Sequence, residues 1–134
     1  MLNQRWIERG AAVLICGLLW LGGAAQARAG EPETVMVTLH AKAGSEADLE
    51  RAIAEHWATA RRLNLVQATP HVTIRGSEEG NKIYFIDIFT WRDGSIPDAA
   101  PAEIRKIWDQ MNALVEARGA HEGLEFAEVA VVSR

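Results

Sequence analysis

The run from Lys82 to Trp91 reads Lys-Ile-Tyr-Phe-Ile-Asp-Ile-Phe-Thr-Trp. Successive side chains of a strand point to opposite faces of its sheet. From Ile83 to Phe89 both faces are apolar, with Asp87 alone as a charge among them. A strand of that kind must be covered on two sides, so it belongs at the centre of a sheet. The rest of the chain has to supply that cover.

Around this strand the periodicities place the other elements. Thr34 to His40 alternates, with Val35, Val37 and Leu39 on one face and Met36, Thr38 and His40 on the other, after a short linker Glu31-Pro32-Glu33. Gly44 breaks the strand, and Ser45-Glu46-Ala47-Asp48 offers a hydroxyl cap with an acid three residues on. A helix is predicted from there to about Arg62, its buried stripe being Leu49, Ile53, Trp57 or His56, Ala60 and Leu63. Asn64 to Thr69 is a connector, and Pro70 opens a second strand with Val72 and Ile74 opposite His71, Thr73 and Arg75. The polar loop from Gly76 to Asn81 turns it into the central strand. Beyond Arg92-Asp93-Gly94-Ser95-Ile96-Pro97, a second helix is expected with Asp98 as cap, Ile104, Trp108, Met111 and Val115 as buried stripe, and Gly119 as terminator. Leu124 to Val132 alternates again and makes a fourth strand.

The order is β-α-β-β-α-β, the ferredoxin-like arrangement of the α+β class, with a four-stranded antiparallel sheet. Two helices cover one face of such a sheet and leave the other bare. An apolar face of that size marks an interaction site. The simplest cover is the sheet of a second copy, so a homodimer is expected.

The N-terminus has a different character. Arg5 and Arg9 precede the apolar stretch from Ala11 to Leu21, and Ala25-Gln26-Ala27 and Ala27-Arg28-Ala29 follow. That succession makes a secretory signal peptide, cleaved after Ala27 or Ala29, and implies a periplasmic or extracellular product. An uncleaved anchor is the alternative, but the stretch from Ala11 to Ala25 is interrupted by Gly17, Gly22 and Gly23 and falls short of the ~20 apolar residues of a spanning helix. The residues before Cys16 are Val13-Leu14-Ile15, not the small residues that lipidation requires. The expected division is therefore 1–29 signal peptide, 30–33 linker and 34–134 domain. Cleavage of 29 residues from 134 leaves 105 and takes the only cysteine. Three basic residues and one acidic one leave with it, so the net charge moves from −4 to −6. An acidic chain with three lysines argues against nucleic acid and against a membrane surface once the leader is gone.

The opening strand Val35-Met36-Val37-Thr38-Leu39, the turn Ala43-Gly44-Ser45 into an amphipathic helix, the strand Tyr84-Phe85-Ile86-Asp87-Ile88-Phe89-Thr90-Trp91 and the long second helix together carry a resemblance. Over about residues 34 to 132 the chain resembles the antibiotic-biosynthesis-monooxygenase-like domains of the dimeric α/β-barrel superfamily. The resemblance implies a homodimeric barrel that binds a small, mostly apolar molecule, as a monooxygenase-like enzyme needing no cofactor. A non-catalytic ligand-binding or stress-associated protein of the same fold is the alternative. The haem-degrading branch uses an Asn on the first strand, a Trp near the third and a His on the second helix. Trp91 matches, but residues 34–40 hold no Asn and residues 101–118 no His, so haem is not expected.

The chemistry-bearing residues are few. His40, His56, His71 and His121 are separated by 16, 15 and 50 positions, which fits no local metal pattern. The expected catalytic residues are His56, Asp87 and His40. Strands one and three are neighbours in this fold, so Asp87 and His40 are candidates for a carboxylate-oriented base, or else Asp87 satisfies a hydroxyl and His40 sits at a strand end. His56 points either into the space between helix and sheet or simply into the core. Trp57 and Trp108 are core aromatics or ligand platforms. Trp91 and Arg92 begin a loop that would serve as a lid, with Arg92 either meeting an anionic group or pairing with Asp93 or Asp98. His71 completes the substrate-binding candidates, its face of strand two being pocket or solvent. Neither glycine-rich nucleotide motif occurs, nor a G-x-S-x-G elbow.

Overall fold

The computed structural model describes residues 30–120 and 123–133. The leader, with Cys16 and both cleavage positions, lies outside these residues. β1 (Glu33–His40), α1 (Glu46–Arg62), β2 (Val66–Glu78), β3 (Lys82–Trp91), a short 3-10 turn (Ile96–Ala99), α2 (Ala102–Leu114) and β4 (Leu124–Glu128) follow in that order. The strands form one antiparallel sheet in the order β2-β3-β1-β4. This is the ferredoxin-like α+β fold, with β3 and β1 at its centre. Among the described residues no helix is long and apolar enough to cross a membrane.

Register assigns every strand residue to a face. Opposite Val37 lies Asp87, and opposite Asp87 lies Thr73. Val35 faces Phe89, which faces His71, and Leu39 faces Phe85. These rows look toward the helices, where Val35, Leu39, Leu49, Val66, Phe85, Phe89, Trp91 and Ile104 are completely or almost completely buried. The alternate rows, Met36 with Ile88 and Val72, and Thr38 with Ile86 and Ile74, look the other way. That face carries no helix, and Val72 and Ile74 are 47% and 46% exposed.

Several local expectations are corrected. Glu33 is not linker but the first residue of β1, buried opposite Trp91. The Ser45 side chain makes no capping bond at α1. The Glu46 carboxylate takes the backbone N–H groups of Gly44 and Glu46 instead, which holds its pKa below the usual range. On α1 it is His56, not Trp57, that lies in the buried row. β2 begins at Val66 rather than Pro70 and reaches Glu78, with a register irregularity between Val66 and His71 and a cis Thr69–Pro70 bond. The early start brings Val66 opposite Trp91, where it is buried. Near the far end, Gly76 lies under the Tyr84 ring, which occupies the place of a Cβ.

α2 is shorter at both ends than its periodicity suggests. Asp98 belongs to the 3-10 turn, and Pro101 holds Ala100 extended, so the turn cannot run on into the helix. At the other end Val115 is extended and bridges Ala41. Lys42 N–H donates to Leu114 O at 2.9 Å and Glu116 N–H to His40 O at 2.9 Å. The end of β1 thus takes the chain out of the helix four residues before Gly119. β4 stops at Glu128, opposite Val35, and beyond it Val129 N–H donates to Thr34 O at 3.0 Å.

Candidate functional site

Adjacent residues on a helix diverge by about 100°, and this separates His56 from Trp57. His56 turns inward and is 3% exposed. Its ring lies 5.5 Å from Phe89 and 5.9 Å from Trp91, both edge-on, and 6.3 Å from Trp108. Phe89 and Trp91 meet edge-to-face at 5.0 Å, and Trp91 and Trp108 at 6.3 Å. α1, β3 and α2 therefore pack one aromatic cluster around a single buried imidazole. Burial, and then the nearby His71, lowers the His56 pKa from 6.5 to about 4. The ring is neutral at pH 7. Its Nε2 and the Trp91 Nε1 are both buried without a hydrogen-bond partner.

Trp57 turns sideways, toward the edge strand β2. There its indole stacks on the His71 imidazole with ring centres 3.6 Å apart and planes 9° from parallel. His71 Nε2 lies 3.2 Å from Asp87 Oδ1. The Thr73 hydroxyl donates to the same oxygen at 2.7 Å. Asp87 is 3% exposed, and burial raises its pKa while Thr73 and His71 pull it back. A hydroxyl donor and an imidazole are the partners that make a buried carboxylate tolerable in the middle of β3.

Six of the eight sequence candidates, His56, Trp57, His71, Asp87, Trp91 and Trp108, are brought together on the helix-covered face. His40 and Arg92 are not. Antiparallel register puts Asp87 opposite Val37, three residues from His40 and on the other face. His40 instead lies 6.0 Å from the Tyr84 ring, with Nδ1 3.5 Å from Glu78 Oε1. That approach is within ion-pair range but not aligned as a hydrogen bond, and Nδ1 stays unpartnered. Arg92 is exposed at the end of β3, its N–H given to Leu65 O at 2.9 Å. The loop after it is pinned rather than free as a lid: Asp93 Oδ1 accepts Ser95 N–H at 2.8 Å and the Ser95 hydroxyl at 2.7 Å, and Gly94 N–H reaches Glu31 O at 2.8 Å.

Thr73 and Phe89 are further residues of the site, which strand periodicity alone does not single out. The hairpin tip holds the missing signal, because pairing counts outward equally from Gly80 and sets Thr73 against Asp87 and His71 against Phe89. Among the described residues no group of three or more His, Cys, Asp or Glu side chains is placed to hold a metal ion.

No protein-family model matches the sequence, and no curated protein is significantly similar to it. Solved structures do match. A variant of SnoaB, a cofactor-independent oxygenase from Streptomyces nogalater, superposes with a TM-score of 0.56 at 16% identity, over 78% of this chain and 96% of that one. A conserved protein from Bacteroides thetaiotaomicron gives 0.54 at 16% identity over 75% of this chain and 100% of that one. An antibiotic biosynthesis monooxygenase-like protein from the same organism gives 0.53 at 12% identity, over 77% and 91%. The chain has the ferredoxin-like fold of the antibiotic-biosynthesis-monooxygenase-like domains. At these identities the likeness concerns the fold.

Proposed function

We propose that this chain is an exported, homodimeric, monooxygenase-like enzyme that joins dioxygen to a small, mostly apolar molecule without a cofactor. One observation carries the reading: His56, His71 and Asp87 converge with Trp57, Phe89, Trp91 and Trp108 between α1 and the sheet. Aromatic walls suit an apolar substrate, while a carboxylate-held imidazole suits proton removal, the step that makes an organic molecule electron-rich enough to react with dioxygen. One fold hosts many functions, so the reading rests on the site. Export rests on the basic, apolar and small-residue succession of residues 1–29. The dimer rests on the bare sheet face with Val72 and Ile74.

A second reading, a ligand-binding protein without chemistry, is favoured by the buried unpartnered His56 Nε2 and Trp91 Nε1, which suit a ligand's polar atom equally well. Oxygen consumption separates the two. With a panel of flat phenols under air, the enzyme takes up oxygen, and Asp87→Asn lowers the rate by about 100-fold or more. Binding by the wild type with no oxygen uptake across the panel removes the oxygenase reading and leaves the binding protein.

A further inference from the structure

Resting on the export reading above, we propose that the Asp93 carboxylate captures the N-terminus that leader removal creates. The cut falls after Ala29, and the new α-ammonium group of Gly30 pairs with Asp93, strapping the start of β1 to the loop that follows Trp91.

The first described residues already lie along that loop. Gly30 turns the chain with φ +89, and its N–H donates to the Asp93 carboxylate. One residue on, Glu31 O accepts Gly94 N–H at 2.8 Å. Glu33 then enters β1 opposite Trp91. These contacts hold residues 30–33 against residues 91–94. The carboxylate is itself fixed, because Oδ1 accepts Ser95 N–H at 2.8 Å and the Ser95 hydroxyl at 2.7 Å, while Asp93 O accepts Ile96 N–H at 3.0 Å. Ser95, and after it Gly30, hold the Asp93 carboxyl below its usual range, so it is ionised at neutral pH. A carboxylate has about four acceptor positions, and the Ser95 donors leave room for the Gly30 nitrogen.

Cleavage changes the chemistry of that nitrogen. The bond between the Ala29 carbonyl carbon and the Gly30 nitrogen breaks. Water gives its hydroxyl to the carbon and a hydrogen to the nitrogen, and the amine takes up a proton at neutral pH. A neutral amide with one N–H becomes a cation with three, and a charge-assisted hydrogen bond is the stronger kind. Cleavage after Ala27 has no such effect, since Gly30 stays an amide and the new charge sits on Arg28, two residues away. Of the two cleavage positions that the leader offers, one alone puts charge on the nitrogen that Asp93 holds. The charged neighbours along the chain are Glu31 after Gly30 and Arg92 before Asp93, opposite in sign, and Asp98 on the 3-10 turn.

The test exports the full chain from a bacterial host and reads the first residue of the product by mass spectrometry. A product beginning at Gly30 is expected. Its α-amino group is then treated with an amine-acylating reagent and the reaction followed at the N-terminal peptide, because the unprotonated amine alone reacts. At pH 7 the wild type is expected to react about threefold or more slowly than Asp93→Asn, whose amide oxygen still serves the Ser95 donors. Asp98→Asn is expected to react like the wild type. Raising the salt to about 1 M screens an exposed pair and should speed the wild-type reaction without any substitution. A wild-type rate equal to that of Asp93→Asn, a rate that salt leaves unchanged, or equal speeding in Asp98→Asn overturns the capture. A product beginning at Arg28 overturns the capture and leaves the export reading standing. A product that keeps residues 1–29 overturns the export reading, and the capture with it.

Discussion

A histidine with a pKa near 4 in the folded chain changes how stability responds to acid. The unfolded chain protonates His56 near pH 6.5, while the folded chain resists until about 4. Between those values the unfolded state binds more protons, so stability is full above about 6.5 and falls as the pH drops toward 4. The shift corresponds to about 3 kcal/mol. Asp87 works in the opposite sense, since a raised carboxyl favours the folded state at low pH. Urea titrations from pH 7 to 4 are expected to show His56→Leu losing less stability over this range than the wild type, by about that amount. Equal losses in the two proteins would mean that His56 is not buried and neutral.

Elements are held here by backbone contacts that the hydrophobic pattern does not report. Gly123 enters β4 with φ +86. Its carbonyl accepts His40 N–H at 3.1 Å. A Cβ there would collide with the Glu116 carbonyl. Gly123→Ala is expected to cost about 2 kcal/mol or more, measured as a lower urea midpoint, because both conformation and space forbid it. An unchanged midpoint would mean that the α2–β4 connection is not packed this way. The same connection explains why the end of α2 was illegible. Periodicity carried the helix to Gly119, but pairing of Val115 with Ala41 removes the chain earlier. The bounds of β3 and β1 are legible in the sequence almost to the residue, because a strand with apolar side chains on one or both faces leaves little choice of period.

At the scale of the molecule the sheet has a covered face and a bare one. If the proposed leader is removed, the recovered chain begins at Arg28 or Gly30; if a second copy covers the bare face, the chain elutes as a dimer on sizing chromatography. Replacing Val72 and Ile74 together by Asp should give a folded monomer with unchanged far-ultraviolet circular dichroism, since both side chains are half exposed in the single chain. A monomer from the unaltered chain at micromolar concentration would refute the paired-sheet arrangement.

The sequence by itself determined the element order, the central strands and the shortage of cover for one sheet face, because these follow from local periodicity and from counting helices. It also named most residues of the site. Only the tertiary structure decided how they are grouped. Register, set by the turn at Gly80 and by the β1–β3 pairing, gave Asp87 to His71 and Thr73 and withheld it from His40. A strand's face is readable from its own sequence. Which residue lies across from it is fixed by the turn and by neighbours distant along the chain.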